Sequence, residues 1–243
     1  MSTIEKALDV LFLLGGTPRA LRLADIAATL DMPRSSAHRT LAPLVRRGLV
    51  EQDDDSRYRI GLGALALGLG AAAREPLAHA ARPVLEAAAA ELGETFFLVV
   101  ARAARLIVLE KAEGSGFLRA APPLGATVPV HATAVGKLYL AYAPELVETG
   151  PLTRFTGTTR ITRKTLAADV ETVRERGWAS NEEEWQAGLA VVAAPVFVRE
   201  ALAGCVALAL VAAKLREIGT DAAARRVTHA AEGIALRLEG GRS

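Results

Sequence analysis

Between positions 34 and 47 the chain places Arg34, Arg39, Arg46 and Arg47 with Ser35, Ser36, His38 and Thr40, and no acidic residue. Guanidinium groups grip phosphates and guanine edges through paired hydrogen bonds, and hydroxyls contact phosphate oxygens. At about 100° per residue on a helix, Ala37, Leu41, Leu44 and Val45 share one side. Ser35, Arg39, Ala42 and Arg46 fall opposite, with His38 at the edge. Such a segment packs by one face and offers the other to a polyanion. A charge run alone is most often a solvated face, so its surroundings decide.

Those surroundings supply a frame. Ile4, Leu8, Leu11, Phe12 and Leu14 recur at helical spacing until Gly15-Gly16, a natural stop. A second helix is expected over 23–30, followed by a turn at Asp31-Met32. Pro33 stands where a first helical position needs no N–H, and Gly48 offers a left-handed stop to the third helix. Pro43 removes the bond to the Arg39 carbonyl and predicts a bend or loosening. Leu49-Val50-Glu51 and Arg57-Tyr58-Arg59-Ile60 read as two strands around the polar turn 53–56. Arg57 is the wing's phosphate contact and Tyr58 a packing residue. The whole is a winged helix-turn-helix over 1–63, with double-stranded operator DNA as its partner. Arg34, Ser35, Ser36, His38, Arg39, Thr40, Arg46 and Arg57 are the candidate DNA-contacting residues.

Composition bounds the alternatives. The 243 residues suffice for two domains, and a charged share of 23% with 51% hydrophobic residues is globular. The formal charge of +2 means that basic surface must be local. A single cysteine, Cys205, excludes an intramolecular disulfide and a multi-cysteine zinc site. Four scattered histidines form no local metal motif, and no cofactor is expected. Acids at Glu5 and Asp9 argue against a signal peptide, and the longest apolar run, 62–73, is shorter than the ~20 residues of a membrane span. These features predict a cytoplasmic protein with no membrane partner.

Beyond the wing, 64–76 reads as an Ala/Leu/Gly-rich linker helix and 77–243 as a second domain. Helices are expected near 77–92, 133–142, 166–176 and 221–238. Strands are expected at 95–103, 106–112, 178–184, 189–198 and 204–212, with a strand and loop over 116–130. Without strict βαβ alternation, this mixture predicts an α+β sheet domain. Cys205 lies in an apolar strand and reads as inert packing. A His131 dyad with a carboxylate from Glu182, Glu183 or Glu184 has nothing to fix its geometry, so catalysis is not expected. The rival to a sensing domain is one that only oligomerises or binds proteins.

The runs IEKALDVLFLL and LADIAATLDMPRSSAHRTLAPLVRRGLV, and more specifically PVHATAVGKLYLAY and RERGWASNEEEWQAGLAVVAAPVF, extend over essentially the whole chain. By these motifs the chain resembles the IclR family of bacterial regulators. It implies a GAF-like effector domain with a central, mostly antiparallel sheet, assembly into homodimers or homotetramers, and control by a small organic molecule. It also implies effector contacts at Thr133, Ala134, Val135 and Gly136, at Asn181 and Val191, and at Ala207 and Ala209. A helix start near Thr133 offers N–H groups to a carboxylate, while His131 and Thr133 as cap and anchor is the plainer reading. Asn181 matches a position often acidic in relatives. Relatives that bind small carboxylates often carry serines where Ala207 and Ala209 stand, and alanine gives a buried anion no hydrogen bond. The expected effector therefore has an apolar or aromatic body and one polar end, with Trp178, Trp185 or Phe117 as the surface it rests on.

Overall fold

The computed structural model describes residues 2–116 and 122–240, and Phe117 lies outside the described residues. The chain divides into two compact units, Met1–Glu75 and Pro76–Ser243.

In the first unit, α1 (Thr3–Gly15) starts at a reciprocal cap, in which Ser2 Oγ accepts the Glu5 N–H and Glu5 accepts the Ser2 N–H. Strand β1 (Leu21–Arg22) leads into α2 (Leu23–Thr29), and Pro33 caps α3 (Arg34–Arg46). The helix runs on through Pro43 to Arg46, so the expected loosening does not end it. Gly48 then takes φ +68°, and the Leu49 N–H reaches back to the Leu44 carbonyl. β2 (Val50–Gln52) and β3 (Arg57–Ile60) form the wing, and β1 joins β3 to make a three-stranded antiparallel sheet. That third strand was not expected, since two residues carry no period to read.

Val10, Leu14, Ile26, Ala37, Leu41, Leu44, Val50 and Tyr58 form the core of this unit. The buried side of α1 is the one with Val10 and Leu14; Ile4, Leu8 and Phe12, expected to belong to the packing stripe, are exposed. α4 (Leu62–Ala72) has no buried residue. Its first turn is tied to the wing, because Glu51 accepts the Leu62 N–H at 3.1 Å and pairs with Arg59. Those two bonds hold the Glu51 carboxyl below the usual carboxylate range.

The second unit is an antiparallel sheet with helices on both faces. Its strands are β4 (Thr95–Arg102), β5 (Arg105–Ala112), β6 (Thr127–Val128), β7 (Ala179–Glu182), β8 (Leu189–Val198) and β9 (Ala201–Val211), in the order β6-β5-β4-β9-β8-β7. Period-two alternation sends neighbouring side chains to opposite faces. Phe96, Leu98, Val206, Leu208 and Leu210 meet α5 (Pro76–Leu92) and α9 (Thr220–Gly240). Phe97, Val99, Cys205, Ala207 and Ala209 meet α6 (Ala134–Tyr142).

α7 (Arg163–Arg176) packs beside α6. It begins three residues before the expected start because Thr162 caps it, accepting the Thr165 N–H. Ala212, expected at the end of a strand, opens a short helix, α8 (Ala212–Ile218). Among the described residues of 116–130, only Thr127–Val128 is strand.

Candidate DNA interface and effector site

On α3 the helical pattern becomes a two-sided surface. Ala37, Leu41 and Leu44 are buried in the core, while Arg34, Ser35, His38, Arg39 and Arg46 are exposed. Ser36 and Thr40 do not share that face. They are 8% and 3% exposed, and the Ser36 hydroxyl accepts from Lys6 of α1 at 3.3 Å. Residue type predicts both as DNA contacts, but both are buried in the unit, and Ser36 also ties α3 to α1. On the wing, the Arg57 backbone N–H donates to Asp53 and its Nε has no partner among the described residues, while Tyr58 is buried as expected.

The eight residues expected around an effector gather on the α6 face of the sheet. Val191 is paired with Asn181 on one side and with Ala209 on the other. α6 lies across β7, β8 and β9. Two of its first N–H groups are already used. Asn181 Oδ1 accepts the Ala134 N–H at 3.0 Å, and Thr133 Oγ1 accepts the Gly136 N–H at 3.1 Å while donating to the Pro129 carbonyl. Gly136 is required by packing, since a Cβ there would meet the Val130 carbonyl oxygen at 1.8 Å. Of the cap-and-anchor pair, Thr133 caps this helix start, Asn181 stands beside it, and His131 turns to the loop at Thr153. His131 Nε2 meets the Thr153 carbonyl at 2.9 Å and its ring stacks on Phe155.

Trp185 packs on this same buried cluster and also lines an adjoining cavity of about 440 Å³, with His131, Phe155 and Arg105. Trp178 does not join it. Its ring lies under Arg176, 3.7 Å from the guanidinium carbon, and packs with the core on the other face of the sheet.

A buried charge network escaped the reading of the sequence. Lys137, 3% exposed, bonds Glu184 Oε1 at 2.6 Å, Asp169 Oδ2 at 2.8 Å and the Ser180 carbonyl at 3.4 Å. Arg160 also reaches Asp169, at 2.9 Å. Burial raises the Asp169 pKa, but the bonds and charges of Lys137 and Arg160 outweigh it and hold the carboxyl below its ordinary value. One signal was available, a lysine in the otherwise apolar run AVGKLYLAY.

Catalytic readings lose their geometry. Cys205 is fully buried, and burial pushes its thiol far up from the usual range. Glu184 pairs with Lys137, and His131 lies against Thr153 and Phe155.

An arginine-faced helix with a wing, and a separate two-faced sheet unit, define a two-domain winged-helix regulator. The chain belongs to the IclR family of bacterial transcriptional regulators. Residues 3–54 match the IclR helix-turn-helix domain, and residues 70–236 match the domain described as bacterial transcriptional regulator IclR, C-terminal. Over 209 residues it is 34% identical to the HTH-type transcriptional regulator BhcR of Paracoccus denitrificans, covering 83% of this chain and 75% of that protein. It is similar to the crystal structure of Thermotoga maritima IclR, with a TM-score of 0.75 at 26% identity over 97% of this chain and 98% of that one. A Microbacterium hydrocarbonoxydans IclR homologue, crystallised with 4-hydroxybenzoate, shares the fold at a TM-score of 0.84 and 22% identity, covering 98% and 100%. The family consists of transcription regulators and not of enzymes.

Proposed function

We propose that residues 1–63 bind an inverted-repeat operator, with α3 in the major groove and the wing on the backbone. The observation that carries this is the outer face of α3. Arg34, Arg39 and Arg46 are exposed on a helix whose other side is buried, with no acid between them. Arg39 reads a base edge, Ser35 and His38 flank it, and Arg34, Arg46 and Arg57 bind phosphates. Ser36 and Thr40 leave the contact set because they are buried. Operator binding supports a cytoplasmic location. The test is gel-shift titration at fixed salt. Arg39→Ala should cost ~1–3 kcal/mol of specific binding while circular dichroism stays unchanged; unchanged affinity rejects the assignment.

Residues 64–76 join the halves, and 77–243 form the effector domain. The effector enters against the face of α6, β8 and β9, with Ala207 and Ala209 as an apolar floor and Trp185 at the boundary with the 440 Å³ cavity. Because Asn181 and Thr133 occupy two of the helix-start N–H groups, a compact acid finds few free donors there. An aromatic or apolar body has His131, Phe155 and Trp185 to rest on, and Arg105 can hold its polar end. Calorimetry comparing 4-hydroxybenzoate and other aromatic acids with pyruvate checks this, tight pyruvate binding being the adverse result.

The protein acts as a homodimer or homotetramer. α4 leaves Leu62 and Leu67 71% and 68% exposed, and α1 leaves Ile4 and Phe12 74% and 75% exposed. Apolar helix faces of this kind mark association surfaces.

A further inference from the structure

Between α6, α7 and β7 lies a second cavity, about 340 Å³, on the polar side of the Lys137 network. It shares none of the eight effector residues and is walled by Lys137, Arg160, Asp169, Arg176, Ser180 and Glu184, among others. Two of its groups bear on what the cavity could hold.

The first is Glu184. This residue is 5% exposed, and only one of its carboxylate oxygens is paired. Its Oε2 is buried without a hydrogen-bond partner among the described residues. Lys137 cannot supply the missing bond, because an ammonium has three donors and the three are spent on Glu184 Oε1, Asp169 and the Ser180 carbonyl.

The second is Arg176. Its Nε donates to the Trp178 carbonyl, one terminal nitrogen donates to Ser180 Oγ, and its plane covers Trp178. It forms no ion pair with a carboxylate among the described residues. By contrast, Arg160 has Asp169, and Glu182 has Arg216. One cavity thus carries an anionic oxygen without a donor among the described residues and a guanidinium that no carboxylate contacts directly, though Asp169 and Asp221 lie near enough for their charges to act on it.

We propose that this cavity is a second small-molecule site, and that it takes a small zwitterionic amino acid. The ligand's ammonium donates to Glu184 Oε2, and its carboxylate is held by Arg176. Charge decides between ligand classes. Lys137, Arg160 and Arg176 balance Asp169, Glu182 and Glu184 around the cavity, so a molecule of zero net charge with both poles adds the two missing contacts without leaving an excess. A simple acid leaves Glu184 Oε2 bare, and a simple amine leaves Arg176 unmatched. The occupant also meets the fold close to α6, since Lys137 is one turn from Thr133 and Ala134. Its binding therefore bears on the helix that the proposed effector face uses.

The test is isothermal titration of the full chain with glycine, L-alanine and L-serine, against lactate and ethanolamine as half-ligands. One site is expected for at least one amino acid, with both half-ligands at least tenfold weaker. Arg176→Gln, at an exposed position and with folding checked by circular dichroism, should weaken that binding at least tenfold, and Glu184→Gln should do the same. Arg105→Gln, in the other cavity, should leave it unchanged, which separates this site from the proposed effector face. If none of the three amino acids binds the wild-type chain, Glu184 Oε2 is met by water alone and the proposal falls. Binding that persists in folded Arg176→Gln also overturns it.

Discussion

Asn181, on an edge strand, closes the first turn of α6 by accepting the Ala134 N–H at 3.0 Å across 47 residues of sequence. The side chain is 2% exposed, and the N–H it satisfies is buried. A residue expected to touch an effector is therefore also the cap of the helix that the effector would face. Substitution at this position tests the structural role of the bond.

Asn181→Ala should lower stability by about 1–2 kcal/mol, the usual cost of losing a cap. Asn181→Asp keeps an acceptor and places a negative charge at a helix N-terminus, which the helix dipole favours. Urea midpoints should rank wild type and Asp above Ala. An Ala variant as stable as wild type would show that the bond is dispensable.

Gly136 gives a sharper outcome. A Cβ at this position would lie 1.8 Å from a backbone oxygen, and backbone cannot swing aside as a flexible side chain can. Gly136→Ala should therefore cost at least the ~1–3 kcal/mol typical of overpacking, read as a fall in melting temperature of the second unit. DNA affinity per folded molecule should be preserved, because the change lies outside the unit that carries α3.

Acid should weaken the second unit through Asp169. Its carboxyl titrates below the unfolded value because Lys137 and Arg160 outweigh its burial. The unfolded chain therefore binds the proton first. The contribution is complete above the unfolded pKa of about 3.9 and fades as pH falls through the lower folded value. In Asp169→Asn the contribution is absent at every pH. The stability gap between wild type and variant, measured by urea titration, should close as pH drops below about 4. A gap that is constant with pH would remove the ion pairing from the explanation.

The regular parts of this fold were legible because local periods reported them. Ala37, Leu41 and Leu44 follow the helical period, and the alternation through Cys205, Val206, Ala207 and Leu208 fills both faces of one strand. What stayed hidden depended on partners far along the chain. Glu184 sits in a run of three glutamates that reads as solvated surface, yet it is buried because Lys137 reaches it from 47 residues away. Ser36 and Thr40 are polar in a basic helix and read as DNA contacts, and only the packing of the unit places them inside. β1 and α8 are too short for a period to show.

The last expectation concerns assembly. α4 exposes Leu62, Leu65, Leu67 and Leu69 at 71%, 55%, 68% and 61%, and buries none of its own residues within the chain. Its start is nevertheless fixed, since Glu51 holds the Leu62 N–H and the Gly63 N–H donates to the Gly48 carbonyl. A helix so firmly placed and so apolar gains stability only by covering its leucines with another surface, each buried leucine contributing about 1.5–3 kcal/mol. Leu65→Asp with Leu69→Asp should therefore leave the winged helix folded and drive the protein toward monomer. Sedimentation at micromolar concentration should show the mass fall, and affinity for a paired operator should drop much more than affinity for one half-site. If the double variant keeps the wild-type mass, α4 is not the association surface, and the exposed stripe of Ile4, Leu8 and Phe12 on α1 becomes the next one to change.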